Sequence, residues 1–496
     1  MKRIIFLGIS FAALMMIIMA CSEEFVTKEF NNGVVDENFF QDATHAEQAL
    51  TAVYDAISQK GLYRESVFVL GDAPSDDINE LTGDNGNYGT FFKAASDFRW
   101  EPSNPFSTSR WYDAYKGIFR ANILLEKLPE IDMDASLRSR YAAEAKFLRA
   151  LYYFNLVIAF GDVPLVTEVL TREEYAELAR TDRSVIFGQM ETDLTEAASD
   201  LPAAASDPVG RATKGAALGL LSRIYLYTEN WNGAISAAEQ VMNLGQYSLT
   251  EGLKDYENMF NGQNENSAES IFEFQAVGQA PGFWGASSEN LYSIHWSPVI
   301  GWANWYSPSV ESYEQYEDGD IRRKANVLVV GAGDSIDTNG DGIREPFPSG
   351  GMNTTYFNGA NTKKWLPEGK SMSQPDNKNF DVNFTILRYA EVLLNLAEAL
   401  NEVGRSSDAL VPLNMIRARA EVPDITESNQ GTLRDLIRDE RRRELLFEGH
   451  RYFDLARWGL SAERLGPLGF VTGTHEFWPI PLAELDLMPN LTQYPN

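Results

Sequence analysis

The sequence predicts a mainly α-helical protein. Apolar residues recur at helical spacing over many separate stretches, while strand-like runs are few and short. A third observation qualifies the first two: between about 245 and 383 the chain keeps no clear period and is rich in Gly, Asn, Ser, Pro and aromatic residues. So long an aperiodic stretch usually carries function in its loops.

The chain opens on Lys2 and Arg3. It is then apolar from 4 to 20 apart from Gly8 and Ser10, and the run stops at Cys21. Seventeen residues is short for a bilayer span, which takes about 20. A charged start, an apolar middle and a small residue before the break read as an export signal over 1–20, with a permanent membrane helix as the alternative. Cys21 is the only cysteine, so no intrachain disulfide can form. Residues 21–41 read as a tether. A helix follows over 42–59, with Ala46, Ala49, Leu50, Val53 and Ile57 on one face and Asp42 placed as N-cap. Further helices are expected near 110–128, 137–160, 184–200, 214–228, 232–244, 384–403, 407–420 and 432–448. Strands are expected at 271–274 and 327–330.

Two helical stretches repeat each other. Leu218, Leu221, Ser222, Tyr225, Ala234, Ala238 and Val241 occupy the same relative positions as Leu393, Leu396, Ala397, Leu400, Ala409, Leu413 and Ile416. The spacing resembles the tetratricopeptide pattern, in which small residues let paired helices approach closely, although ordinary helical hairpins can share it. Copies far apart in the chain bury their faces only by packing together, which favours one continuous scaffold.

A formal net charge of −29 excludes nucleic acid as a partner, because phosphate binding needs a basic face. The same charge opposes broad adhesion to anionic lipid headgroups. The four histidines, at 45, 295, 450 and 475, offer no metal-ligand spacing.

Several ordered motifs carry a family resemblance. Residues 386–404 read ILRYAEVLLNLAEALNEVG and 413–419 read LNMIRAR; 438–459 read RDERRRELLFEGHRYFDLARWG and 478–490 read WPIPLAELDLMPN. Earlier come AEAKFLRALYYFNLVIAFGDVP, within 142–164, and SPSVESYEQYEDGDIRR at 307–323. In this order they resemble the SusD/RagB proteins that sit beside TonB-dependent transporters in Bacteroidetes. The resemblance implies a single SusD-like fold built on tetratricopeptide-like helix pairs with an irregular, loop-rich ligand-binding insertion. It divides the chain into an N-terminal part (42–260) and a C-terminal part (261–496) of one continuous unit. Ile18-Met19-Ala20-Cys21 is similar to a bacterial lipobox, and Glu23 and Glu24 resemble the surface-export signal of such lipoproteins. Cys21 would then carry the acyl chains that anchor the protein in the outer membrane, facing the cell exterior; stable anchoring takes more than one chain.

From Arg434 to Glu448, five arginines alternate with five acids, Asp435 and Arg438 among them at helical contact distance. Internal ion pairing accounts for the cluster without an anion ligand. His450 and Trp458 are expected to pack or hydrogen-bond, not to catalyse.

Sugars are held by aromatic faces and by polar groups that satisfy their hydroxyls. Residues 283–306 concentrate Phe283, Trp284, Tyr292, Trp296, Trp302, Trp305 and Tyr306 among Gly, Ser, Asn and Pro. The stretch 72–88, DAPSDDINELTGDNGNY, adds acceptors, and the resemblance places both regions at the binding face. Asp76, Tyr88, Trp284, Trp296 and Trp302 are the candidate ligand residues. Asp337, Asn339, Asp341 and Gly342 match the opening of a calcium loop, but Pro348 stands where the closing carboxylate belongs. Glu345 or Asp334 could substitute, and a plain Gly/Asp turn fits equally; structural calcium is the one cofactor the chain suggests.

No nucleophile elbow, phosphate-cradling loop or histidine pair appears, and no catalytic residue is assigned. The expected function is capture of an oligosaccharide, or another nutrient, and its delivery to a SusC-like TonB-dependent transporter. A surface glycoside hydrolase needs only two carboxylates across a cleft and is the rival reading. A tetratricopeptide-type interaction scaffold is a third.

Overall fold

Most of the long helices begin where a short polar side chain turns back on the backbone; the two that start at Tyr389 and Ser406 do not. The computed structural model describes residues 39–80, 87–205, 208–276, 306–337, 343–347, 359–366 and 382–494. Asp42 accepts from the Thr44 and His45 amides and opens α1 (Ala43–Asp55), as its sequence position predicts. Asn104 opens α2 (Pro105–Lys127), Asp134 α3 (Ala135–Phe160) and Asp182 α4 (Arg183–Asp200). Thr213 opens α5 (Lys214–Tyr227) and Asn230 opens α6 (Trp231–Asn243). Each such cap satisfies amides that have no partner inside the helix, for about 1 kcal/mol. In the C-terminal part α7 (Tyr389–Glu402) and α8 (Ser406–Arg419) follow, then α9 (Gln430–Glu444), capped by Asn429.

The helices stack in series. Each of α2 to α6 packs on the next, α6 then packs on α7, and α7 packs on both α8 and α9. The pairs α5–α6 and α7–α8 are the two copies read from the sequence, and they meet directly: Asn395 Nδ2 donates to Ser222 Oγ at 3.0 Å. Ala234 and Ala409 are fully buried at the turns into α6 and α8, where a larger side chain would hold the helices apart. One core cluster runs through the stack, from Leu50 and Leu148 to Leu220, Leu393, Ile437 and Trp478. Phe39 and Phe40 already pack against it.

Strands occur as two-stranded pairs set beside this stack. β1 (Ile78–Glu80) pairs antiparallel with β3 (Tyr306–Pro308), and β2 (Ser270–Phe274) with β8 (Phe384–Arg388). β4 (Val327–Val329) pairs with β7 (Ala360–Thr362), and β5 (Ser335–Ile336) with β6 (Glu345–Pro346).

Two predicted helices need correction. The helix expected over 384–403 begins five residues late, because 384–388 form β8. All five of those residues are buried, so the segment lacks the alternation that marks a half-exposed strand and reads as an extension of the apolar helix. The helix expected over 432–448 ends at Glu444. Phe447 and Gly449 take φ of 62° and 81°, which no α-helix accommodates. Among the described residues no helix is long and apolar enough to cross a membrane.

Candidate ligand-binding face

The β1–β3 pair brings the two sequence-predicted loops to one root. Ile78 lies opposite Pro308, Asn79 opposite Ser307 and Glu80 opposite Tyr306. Residues 81–86 therefore leave the described chain beside the point where 277–305 return to it. The other end of 277–305 starts from the β2–β8 pair, where the Ala276 amide donates to Asn383 Oδ1 at 2.8 Å. The segment 367–381 rejoins the chain there too, after leaving from Leu366. Its departure is anchored by Trp365, which stacks on Phe384 at 4.5 Å and donates from Nε1 to the Phe447 carbonyl at 2.8 Å.

Trp284, Trp296, Trp302 and Cys21 lie outside the described residues. Tyr88 falls in the first turn of the helix Asn87–Ser96, and its side chain is likewise outside what is described. Tyr306, counted with the aromatic stretch, belongs to the core instead. It is fully buried between Phe68 and Phe92, and its hydroxyl donates to the Phe92 carbonyl. It anchors the loop that precedes it.

Asp76 is buried beneath β1 and held by arginines. Arg451 donates to both carboxylate oxygens, at 2.7 and 2.8 Å, and Arg464 Nε donates to Oδ2 at 2.8 Å. Burial alone would push its pKa up, but Arg451, Arg442 and Arg464 hold it far below the usual carboxylate range. Next to it Asp77 Oδ1 accepts from Arg442 Nε at 2.7 Å, and Arg442 also reaches Glu311 at 2.7 Å. The same turn is tied to β3 by Ser309, whose amide donates to the Asp77 carbonyl and whose hydroxyl donates to that of Asp76, both at 2.8 Å. The Gly449 amide donates to Asp72 Oδ2 at 2.8 Å. The chains touch here: a Cβ at Gly71 would lie 2.2 Å from the Gly449 carbonyl oxygen. Asp76 thus pins the turn that leads into β1.

Sequence reasoning gave the arginine cluster a structural role and missed its reach. Only Asp435–Arg438, at 3.6 Å, and Arg443–Glu440, at 3.2 Å, pair within α9. Neighbours on a helix are separated by about 100°, so consecutive arginines address different elements. Arg441 bonds Asp454 at 2.8 Å, Arg442 clamps the β1 loop, and Arg443 Nε donates to the Gln315 carbonyl at 2.9 Å. Acids of the same segment take arginines from elsewhere. Glu444 receives Arg388, Arg322 and Arg419, while Arg388 also bonds Glu269 and Glu448. Lys364 pairs with Glu448 at 2.5 Å, and burial lowers its pKa to about 8. This buried network fastens the stems of the irregular insertion (Arg322, Lys364) to β8 (Arg388) and α8 (Arg419). The signal that could have found it is RRRE followed by FEGHR: charges too dense for a helix with one exposed face.

His450 is half-buried, and Trp458 Nε1 donates to Glu398 at 2.9 Å, as packing residues do. Asp337 opens the loop of the β5–β6 hairpin, while Asn339 and Asp341 lie outside the described residues. Asp334, a candidate calcium ligand, has both oxygens on Arg323, at 2.5 and 2.9 Å. Among the described residues no group of His, Cys, Asp and Glu could hold a metal ion.

Known proteins match this chain along nearly its whole length. The model of the SusD family matches residues 228–469, and one described as starch-binding associating with outer membrane matches 36–226. SusD-like protein P38 of Formosa agariphila is 26% identical, with 99% of each chain covered. Among solved structures, a laminarin binding SusD-like protein is 32% identical with a TM-score of 0.79, covering 92% of this chain and all of its own. A SusD-like carbohydrate binding protein from Bacteroides fragilis is 27% identical with a TM-score of 0.78 and the same coverage. The serial helix pairs, the ordered C-terminal motifs and these matches agree: the chain belongs to the SusD family.

Proposed function

We propose that the protein binds an oligosaccharide at the cell surface, on the face rooted at β1 and β3, and delivers it to a SusC-like TonB-dependent transporter. The observation that carries this reading is the β1–β3 register, which roots the Asp/Asn-rich loop and the tryptophan-rich segment side by side. The laminarin binding relative, at 32% identity over the full fold, supports carbohydrate as the ligand class. Trp284, Trp296 and Trp302 stack against sugar C–H faces and Tyr88 adds a hydroxyl, while Asp76 sets the loop from beneath. Acyl chains on Cys21 anchor the chain to the outer membrane with its binding face outward; Cys21→Ala is expected to release it from the membrane fraction. The transporter is expected to co-purify with the wild-type protein from detergent-solubilised outer membranes.

Binding without turnover is the proposed outcome. Among the buried carboxylates described above, Asp76, Asp77, Asp334, Glu444 and Glu448 are occupied by arginines, and Asp72 accepts from the Gly449 amide. Glu273, whose pKa burial raises, is bonded to Asn383 and the Asn266 amide within the β2–β8 stem. Incubating the purified protein with laminarin- and starch-derived oligosaccharides tests this: ligands recovered intact support a binder, and shortened products identify a hydrolase. Asp337, Asn339 and Asp341 are proposed as calcium ligands of the β5–β6 loop. Calcium is expected to raise the melting temperature over that in chelator, and Asp341→Ala to remove the difference.

A further inference from the structure

The basic residues at the roots of the proposed binding face are all spent on carboxylates. Beside β1 and β3, Arg442 bonds Asp77 and Glu311, both at 2.7 Å, and Arg451 bonds both oxygens of Asp76. Arg464 bonds Asp76 at 2.7 Å and also reaches Glu311. Three guanidiniums thus meet three carboxylates. On β2 and β8 the one basic residue is Arg388, which Glu269, Glu444 and Glu448 surround. Just before Trp365, Lys363 pairs with Glu257 and Lys364 with Glu448. Where 277–305 begins, the side chains are amides: Asn266 and Gln275 exchange hydrogen bonds at 2.9 and 3.0 Å, and Asn383 donates to Gln275 at 3.1 Å.

The sequences that leave these roots add no surplus of positive charge. Residues 277–305 hold Glu289 and His295 but no lysine or arginine, and 72–88 hold five acids and again no lysine or arginine. Residues 367–381 set Lys370 and Lys378 against Glu368, Asp376 and Asp381. Lys93 lies beyond, in the last turn of the helix Asn87–Ser96. A uronate or a sulfate ester brings a fixed negative charge to such a face. It gives up hydration, gains no ion pair at these roots, and is repelled by the acids around it. Taking an arginine from Asp76 or Asp77 does not help, because the displaced carboxylate then becomes the buried charge without a partner. A neutral sugar meets neither penalty. Its hydroxyls bond to amides and carboxylates, and its C–H faces lie on aromatic rings.

We infer that the face selects its ligand by charge, taking neutral oligosaccharides and rejecting those that carry uronate or sulfate groups. The inference rests on the capture reading above and narrows its ligand class. The test titrates the full chain, in detergent, by calorimetry with two sets of oligosaccharides of matched length. The neutral set is laminarihexaose, maltohexaose, xylohexaose and mannohexaose. The charged set is hexagalacturonate, an alginate hexamer and a sulfated carrageenan hexasaccharide. At least one neutral ligand is expected to bind, and every charged one to bind about tenfold or more weaker than the best neutral one. Affinity for the neutral ligand is expected to be the same at low and high salt, since no ion pair is there to be screened. A charged oligosaccharide that matches or exceeds the best neutral one overturns the selection and leaves capture standing. Affinity for the neutral ligand that falls as salt rises overturns the selection too. Binding of none of these oligosaccharides overturns the capture reading and, with it, this inference.

Discussion

Glu444 shows how much one side chain can hold in this protein. It is fully buried, and three arginines converge on it from β8, from α8 and from the short helix Ile321–Asn326. Removing one partner of a buried ion pair strands the others without water, which costs about 3–5 kcal/mol. Glu444→Gln is expected to lose that much in urea unfolding, whereas removing the exposed Asp435 from its pair with Arg438 is expected to lose under about 1 kcal/mol. His450 gives the molecule an acid-sensitive point. Burial lowers its pKa from 6.5 to about 4, with Arg223 and Arg441 pushing the same way and Glu391 and Asp454 pulling against them. The folded protein thus refuses a proton that the unfolded chain accepts between about 4 and 6.5, so stability falls as pH falls through that window, by up to about 3 kcal/mol. Burial pushes Glu391 up, but Arg223 brings it down to about 2, so it stays ionised across the same range. His450→Gln is expected to flatten the dependence of melting temperature on pH between 6.5 and 4. Asp42 as a cap and the arginines as structural residues were readable in the sequence, because both follow from helical geometry. The partners of those arginines were not, because they lie on elements that only the fold brings near.

Among elements, the paired helices were the most legible and the paired strands the least. Ala234 and Ala409 fall at matching positions of the two copies and are both fully buried. Ala409→Leu is expected to cost about 1–3 kcal/mol, since extra methylenes have nowhere to go in a packed helix crossing. β8 reads as helix in the sequence because both its faces are buried, and β1 and β3 are too short to leave a period. Only the loops that β1 and β3 carry were recognised, from composition. The clamp on β1 has its own test. In Arg451→Ala, Asp76 keeps Arg464 but loses its two-pronged partner. Amide exchange at Ile78 and Asn79 is expected to speed up, while that of α5 to α8 stays unchanged. Equal protection of β1 in wild type and variant would show that Arg451 does not hold the loop.

At the scale of the whole molecule, a rigid stack of helix pairs is joined by buried charges to the stems of an irregular insertion. The stack and its order were predictable because the motifs follow one another along the chain. The binding face is legible only as a composition, since its tryptophans sit where no helical or strand period constrains them. The fold places their segment with one end at β3 and the other at β2, next to the loop that leaves β1. The central claim is that this face holds an oligosaccharide. Its most direct test is calorimetric titration of the soluble protein, lacking residues 1–21, with laminarin- and starch-derived oligosaccharides beside the Trp284→Ala, Trp296→Ala, Trp302→Ala variant. Saturable binding of at least one oligosaccharide, weakened by about tenfold or more in the variant at an equal melting temperature, is the predicted result. Equal affinity in the two proteins would contradict it.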